Sequence, residues 1–490
     1  MKQKLIAVFL MTFAALFFNQ KADAQTEKTN ATITVDAASI EKLIQTQLEK
    51  QSFVGSSIAV MHRGKIVFAK GYGVSSLKTG KKVDTETIFD VGSVTKQFTA
   101  AAILLLAENG KLSVADKVSK YYPELTGADQ ITLLDLMNHT AGYQDYAALD
   151  YPDRKSLAPV TPEKIIHAYA TRPLDFAPGT NWSYSNTNYM ILGRIIERVS
   201  GESLRDFFAR RIFKPLAMRN TFYPPHANDK RLAAGYTSFA LSDPEAVVAD
   251  AKWAFAAGGL LSTATDLMKW SLALMDGKIL KPESLKLMTE ARRLADGSDS
   301  GYGCGLFVSI DASGVESWEH GGATSGFLAE NLMIPATRSA IVVLSNADFV
   351  LPGASLFGKL KPALAADKAV RRDNKPASKK RAVGETAPPQ VAGLTAAEAA
   401  RKMFADMQAG KLDRANLSDE FSFFLNEDKL RKASAKLKLF GEPTAVNLIG
   451  AAERGGMEAT FIEIVFSNSS LKVSMFRSTD GKIQQFLIRR

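Results

Sequence analysis

Ser93-Val94-Thr95-Lys96-Gln97-Phe98-Thr99-Ala100-Ala101-Ala102-Ile103-Leu104-Leu105-Leu106 is the stretch on which the reading of this chain turns. From Phe98 onward it is too apolar for a helix with one wet face, so it predicts a helix running through a core and stopping near Asn109-Gly110. Ser93 and Lys96 stand at its first turn, three residues apart and therefore on one face. A helix start also offers free N–H groups and a positive dipole end, suited to a developing oxyanion. A serine with an amine neighbour in that setting is the pattern of an activated acylation nucleophile.

The same spacing recurs at Ser39-Ile40-Glu41-Lys42, Ser75-Ser76-Leu77-Lys78 and Ser469-Ser470-Leu471-Lys472, and context separates the four. Ser39 opens an amphipathic helix whose stripe, Ile40, Leu43, Ile44 and Leu48, covers one face only. Ser75 follows the turn-rich Gly71-Tyr72-Gly73, and Ser469 lies between two strand-like runs. None of these heads a buried helix.

Outward from the Ser93 helix, Ser57 to Met61 and Lys65 to Ala69 flank His62-Arg63-Gly64 as a hairpin. From Leu112 to Trp270 helical pieces alternate with Pro and Gly, including the stripe Tyr189, Ile191, Leu192, Ile195, Ile196, Val199 that closes at Ser200-Gly201. Strand-like runs return at Gly305 to Ile310, Ala329 to Ile334 and Ala340 to Leu344. Strands at both ends with helices between them predict one sheet completed by its two sequence extremes, with the helical insert as a second lobe and a cleft between.

At 490 residues the chain is too long for one ordinary domain. Lys2 and Lys4 precede an apolar run, Leu5 to Phe18, and Ala22-Asp23-Ala24 has the small-x-small form of a signal-peptidase site. Residues 1–24 are therefore expected to be a cleaved export signal, the run being shorter than the ~20 residues that cross a bilayer. A periplasmic or extracellular location follows, with no stable membrane anchor after cleavage. The formal charge of +10 is concentrated: nine Lys or Arg against three Asp or Glu lie between Lys359 and Glu385. This basic stretch predicts a solvated linker over 366–391 and no nucleic-acid partner.

Beyond the linker, Ala396 to Met407 and Leu430 to Leu439 predict helices. Runs at Thr444 to Ile449, Ala459 to Phe466, Leu471 to Phe476 and Ile483 to Ile488 predict strands, the last two joined at Asp480-Gly481. A small α+β domain is expected over 392–490, weakly resembling nuclear transport factor two, a fold with many roles. Cys304, the single cysteine, excludes an intramolecular disulfide and is expected as a small buried thiol at a strand start. The five histidines show no His-x-x-x-His spacing, so no metal and no other cofactor is expected. No Gly-x-Ser-x-Gly elbow occurs either, which disfavours a Ser-His-Asp triad on an α/β-hydrolase.

An acylating serine needs a base and oxyanion donors. Lys96 serves as a base near neutral pH only where burial and a phenolic or cationic partner favour the free amine. Tyr184-Ser185-Asn186, just before a strong helix, is the only Tyr-x-Asn in the chain. Trp318-Glu319-His320-Gly321-Gly322-Ala323 is the third piece, its glycines allowing close backbone approach.

In that order, the three motifs resemble the β-lactamase-related superfamily: class C β-lactamases, low-molecular-weight penicillin-binding proteins, and the esterases and D-amino-acid peptidases of the same fold. The resemblance spans roughly Asp36 to Ala365, a hydrolase domain of 36–365, and takes in Leu136-Met137-Asn138-His139-Thr140-Ala141-Gly142 and Gly258-Gly259-Leu260-Leu261-Ser262. It implies a mixed α/β (α+β) fold in which an antiparallel sheet is flanked by helices and faced by a helical lobe. It further implies Ser93 as nucleophile, Lys96 as its hydrogen-bonded base partner and Tyr184 as phenolate-like base or proton shuttle. Asn186 would contact a substrate amide, His320 and Gly322 would line the third motif, and the backbone N–H groups of Ser93 and Ala323 would form the oxyanion hole.

The third motif of β-lactamases and transpeptidases usually reads Lys-Thr-Gly or Lys-Ser-Gly; here it is His320-Gly321-Gly322. Both the hydroxyl and the permanent cation are missing, which moves the expected activity from penicillin hydrolysis to an ester, amide or peptide substrate. An imidazole of reference pKa about 6.5 in that place predicts tighter binding of anionic substrates below about pH 6. Other readings stay open at this level. The chain is then a penicillin-binding DD-peptidase or β-lactamase, or a ligand-binding or sensory module on an inactive hydrolase fold. Lys96 is then a paired structural lysine, and Tyr184 a packed aromatic. His139 is expected as a structural hydrogen-bonder.

Overall fold

The computed structural model describes residues 35–489 apart from 50–52, 153, 155–157, 159, 224–228, 248–252, 312, 352–353 and 367–387. The expected export signal at 1–24 and most of the expected linker at 366–391 lie outside the described residues. Helix α1 (Ala37–Leu48) begins at Asp36, whose carboxylate accepts from the Ser39 N–H at 2.9 Å. Strands β1 (Gly55–His62) and β2 (Lys65–Gly73) follow as the expected hairpin. Arg63 at φ 53° and Gly64 at φ 75° make its turn, the two positive values that match the twist of the flanking strands.

Helix α2 (Thr95–Glu108) carries the Ser-x-x-Lys stretch into the core, with every residue from Thr95 to Leu104 buried. It packs against α3 (Asn186–Ser200), while α4 (Ala264–Met275) lies on the face of the sheet. Phe98 stacks on Trp270 of α4 at 4.2 Å between ring centres. The pattern predicts helical pieces alone, and the lobe departs from it by holding short strand pairs. Phe89–Asp90 pairs with Leu261–Ser262, and Tyr236–Thr237 with Glu245–Ala246, in pieces too short to show a period.

The remaining strands are β3 (Phe307–Ile310), β4 (Glu316–Thr324), β5 (Phe327–Ile334) and β6 (Ser339–Ser345), the chain then entering α5 (Ala354–Leu364). Together they form one antiparallel sheet of order β2-β1-β6-β5-β4-β3. The first strand pairs with the last, Ser56 opposite Ser345 through Met61 opposite Ala340, so the two sequence extremes do close one sheet. Alternation then sorts the side chains. Ile58, Val60, Ile341 and Val343 face α1 and α5, while Ala59, Met61, Ala340 and Val342 face the core shared with α2.

Cys304 is buried as expected, but in a bend before β3 rather than at a strand start. Its thiol donates to Leu287 O at 3.3 Å, and burial pushes it up to about 12.

The C-terminal unit packs α6 (Ala396–Ala409), α7 (Asp419–Phe424) and α8 (Glu427–Leu437) on a four-stranded meander. Its strands are β7 (Ala445–Arg454), β8 (Met457–Val465), β9 (Ser470–Arg477) and β10 (Ile483–Arg489). Thr395 and Glu398 form a reciprocal cap at the start of α6, and Gly410 at φ 75° ends it. The core of this unit is not its own alone: Tyr151, Phe239 and Ala240 of the helical lobe belong to the same apolar cluster as Phe421, Ile462 and Phe486. Among the described residues no helix is long and apolar enough to cross a membrane.

Candidate active site

Three short segments converge at the start of α2. The first is Val91-Gly92-Ser93-Val94, where Gly92 at φ 50° turns the chain, its N–H donating to Asp90 Oδ1 at 2.8 Å, and one tight 3₁₀ turn leads into the helix. Ser93 is half-buried, whereas Lys96 one turn on is wholly buried.

Lys96 Nζ makes three contacts: Ser93 Oγ at 3.1 Å, Asn186 Oδ1 at 2.7 Å and Ala257 O at 2.7 Å. Two of these partners are carbonyl oxygens that only accept. A neutral amine has two hydrogens for them and one lone pair left, which faces the Ser93 hydroxyl. Burial brings the ammonium down to about 7, with the Asp145 carboxylate acting in the other direction. The rings of Tyr184 and Tyr189 lie 4.8 Å and 5.3 Å from Nζ.

Tyr184 sits in the loop that enters α3. The loop is pinned by His139: the Ser183 N–H donates to His139 O and the Ser185 N–H to His139 Nδ1, each at 3.1 Å. The His139 ring lies 4.4 Å from that of Tyr184. Burial, then the charge of Lys96, holds the His139 imidazole well below its ordinary value, so it is a neutral acceptor. The buried Tyr184 hydroxyl makes no hydrogen bond of ordinary geometry to a described residue. Burial pushes the phenol well above its ordinary value, and the hydroxyl of Ser93 acts against that rise without cancelling it. A phenolate at Tyr184 near neutral pH is therefore disfavoured, and the amine of Lys96 fits the base better.

Asn186 is a bridge. Its Oδ1 takes the Lys96 contact, and its Nδ2 donates to the Asp145 carboxylate, 3.0 Å from Oδ1 and 3.3 Å from Oδ2, two oxygens close enough together to share one hydrogen. Asp145 also accepts from the Asn186 backbone at 2.9 Å. Sequence reasoning missed Asp145, since Tyr143-Gln144-Asp145-Tyr146 carries no periodicity or spacing that ties it to Asn186.

The third segment is β4, on which Trp318, His320 and Gly322 alternate onto one face. A Cβ at Gly322 would stand 1.9 Å from Val91 O and 3.1 Å from Ser93 N. The strand and the Ser93 turn thus touch backbone to backbone, and the Gly92 side of the contact reaches Ala323 N. Ala323 itself is exposed and Ser93 half-buried, so the site is open along this edge.

His320 differs from the titrating cation expected. It is fully buried, and Gly321 O at 2.6 Å takes a hydrogen bond from Nδ1. Nε2 is then the acceptor, and the Tyr302 hydroxyl donates to it at 2.9 Å. Burial, followed by the nearby Lys96, brings the imidazole down to about 3, against the pull of the Gly321 hydrogen bond. It stays neutral across the physiological range.

The beta-lactamase family model matches residues 40–355. The chain belongs to the beta-lactamase family. PbpX of Bacillus subtilis is 31% identical over 304 residues, 62% of this chain and 73% of that one. A D-stereospecific amidohydrolase from Streptomyces is 26% identical with a TM-score of 0.56, covering 64% of this chain and 95% of that one. The octameric penicillin-binding protein homologue from Pyrococcus abyssi is 21% identical with a TM-score of 0.58, covering 92% of this chain and 99% of its own. That last likeness is one of fold, and its reach takes in the C-terminal unit. Members of this family are serine hydrolases that work by acyl transfer.

Proposed function

We propose that this chain is an exported hydrolase that cleaves an ester or amide bond through an acyl-enzyme on Ser93. The observation that carries the reading is the 3.1 Å contact of Lys96 Nζ with Ser93 Oγ, on an amine that burial brings to about 7. Lys96 takes the Ser93 proton as Oγ attacks the carbonyl carbon, and the oxyanion gathers at the N–H groups of Ser93 and Ala323. Tyr184 gives its phenolic proton to the leaving nitrogen or oxygen and takes in exchange the proton held on Lys96, which returns both groups to their starting state. Water then attacks the ester, with Lys96 again as base, and frees Ser93.

The substrate class follows from what the third motif lacks. His320 is neutral and tied to Tyr302 and Gly321, so it offers no cation to a β-lactam carboxylate. The 26% identity to a D-stereospecific amidohydrolase supports an amide or short peptide substrate ahead of penicillin. A fluorophosphonate probe tests the reading directly. The wild-type chain is expected to label, with the adduct mapping to Ser93, and Ser93→Ala is expected to stay unlabelled and to lose turnover of D-amino-acid amides. An adduct on another residue, or no labelling at all, sinks the proposal in favour of a binding module.

A further inference from the structure

The loop from Asp145 to Tyr151 is held from two sides. At its near end the Asp145 carboxylate accepts from Asn186 Nδ2 and so stands one amide away from Lys96. Its far end is held by the C-terminal unit. Arg454, the last residue of β7, donates to Asp150 Oδ1 at 2.8 Å and to Ala147 O at 3.4 Å. Gln485 of β10 donates to Asp150 Oδ2 at 2.9 Å and accepts from Asp150 N at 2.7 Å. The Tyr151 hydroxyl donates to Gln484 O at 3.0 Å. Gly455 turns at φ 58° against Ala148, where a Cβ would come within 2.9 Å of the alanine methyl.

The Arg454 side chain is 11% exposed and lies over the Phe476 ring at 5.3 Å. A guanidinium this well covered is costly to desolvate, and one exposed aspartate contact does not require it. Its charge acts on Asp150, Asp145 and Tyr184, the last two being groups of the Ser93 site.

We propose that Arg454 is a positioning residue of the Ser93 site, through which the C-terminal unit governs how readily Lys96 accepts the serine proton. The inference rests on the acyl-transfer reading of Ser93 and Lys96. Lys96 is faced by the Asp145 carboxylate through Asn186, by the phenols of Tyr184 and Tyr189, and by the imidazoles of His139 and His320. Arg454 is faced by Asp150, Asp145, Glu453 and Tyr184. The Asp145 charge favours a proton on Lys96; on this proposal the Arg454 cation, whose charge acts on Asp145, offsets it. Removing the cation leaves Asp145 unopposed, so Lys96 holds its proton to higher pH. Neutralising Asp150 leaves the cation unopposed, so Lys96 releases its proton at lower pH.

The two halves of one ion pair therefore shift the pH profile in opposite directions, which a merely structural clamp does not do. The full-length chain is labelled with a fluorophosphonate between about pH 5.5 and 9 as wild type, Arg454→Gln, Arg454→Lys and Asp150→Asn. The acid limb is expected to rise by roughly half a pH unit in Arg454→Gln, to stay in place in Arg454→Lys and to fall in Asp150→Asn. An unmoved limb in both neutral variants, or equal slowing of both without a shift, overturns the inference while leaving Ser93 as nucleophile. Should Arg454→Gln not fold, the sign of the Asp150→Asn shift decides. A wild-type chain that does not label at Ser93 overturns the site reading and this inference together.

Discussion

Lys96 is asked to do two things that exclude each other in water: to sit within 3.1 Å of a hydroxyl and to be free of its proton at neutral pH. Burial among α2, α3 and the Ala257 carbonyl reconciles them, since two carbonyl acceptors fix two hydrogens and the low-dielectric surroundings remove the third. The acylation rate should therefore rise about tenfold per pH unit below about 7 and level off above it, because only the neutral amine takes the Ser93 proton. Lys96→Ala should lose that limb and at least 10²-fold in rate. A flat profile in wild type, read by labelling rate, would take the base role from Lys96. His320 makes the converse case. Down at about 3, its imidazole carries no charge from pH 5.5 to 8.5, so an anionic substrate and a neutral ester of matched size should show parallel KM profiles over that range. A selective tightening of the anion below pH 6 would mean that the buried imidazole titrates after all. Ser93, Lys96, Tyr184 and Asn186 were legible in the sequence because their motifs are short and local. Asp145 and Arg454 were not. They meet the site across 41 and 270 residues or more of chain, through contacts that no local pattern encodes.

Strand β4 is the element on which the site depends most tightly. Its glycine at 322 lets the strand lie against the Val91–Ser93 turn, and any Cβ there meets Val91 O at 1.9 Å, far inside van der Waals contact. Backbone on both sides leaves nothing flexible to give way, so Gly322→Ala should push strand and turn apart. Overpacking of this kind costs about 1–3 kcal/mol. Loss of labelling by 10²-fold or more, with a lowered melting temperature, is the expected result, since the displaced atoms include the N–H groups proposed as oxyanion donors. Wild-type labelling and melting in that variant would show that the contact is slack. The sheet itself was readable in advance because β1 and β6 carry the apolar runs Ile58 to Met61 and Ala340 to Leu344, and β5 ends on Leu332 to Ile334. The two-residue pairs at Phe89 and Tyr236, and the exact start of β3 after Cys304, were not, because pieces that short are set by what they pack against.

At the scale of the whole molecule, the question is whether the C-terminal unit is an appendage or a part of the fold. Its helices and meander were legible as a separate pattern, expected as a small α+β domain over 392–490. The structure places Tyr151, Phe239 and Ala240 of the helical lobe inside its apolar cluster, and adds Arg454–Asp150 together with the outer pairs Arg154–Glu420 and Lys436–Asp243. The outer pairs are solvent-screened and contribute little. The apolar contacts decide: burying one large aromatic side chain is worth about 1.5–3 kcal/mol, and two of them amount to a large fraction of the roughly 5–15 kcal/mol that holds a domain together. A chain ending at Ala366 should therefore uncover Tyr151 and Phe239, melt at a lower temperature than the full chain and precipitate more readily. It should also lack the guanidinium that opposes Asp145, so whatever fraction stays folded should label with its acid limb shifted upward, as in Arg454→Gln. Calorimetry of the intact chain should give one merged transition. Two well-separated transitions, with the shortened chain keeping the melting temperature of the first, would show that the units are independent and that the shared cluster holds nothing.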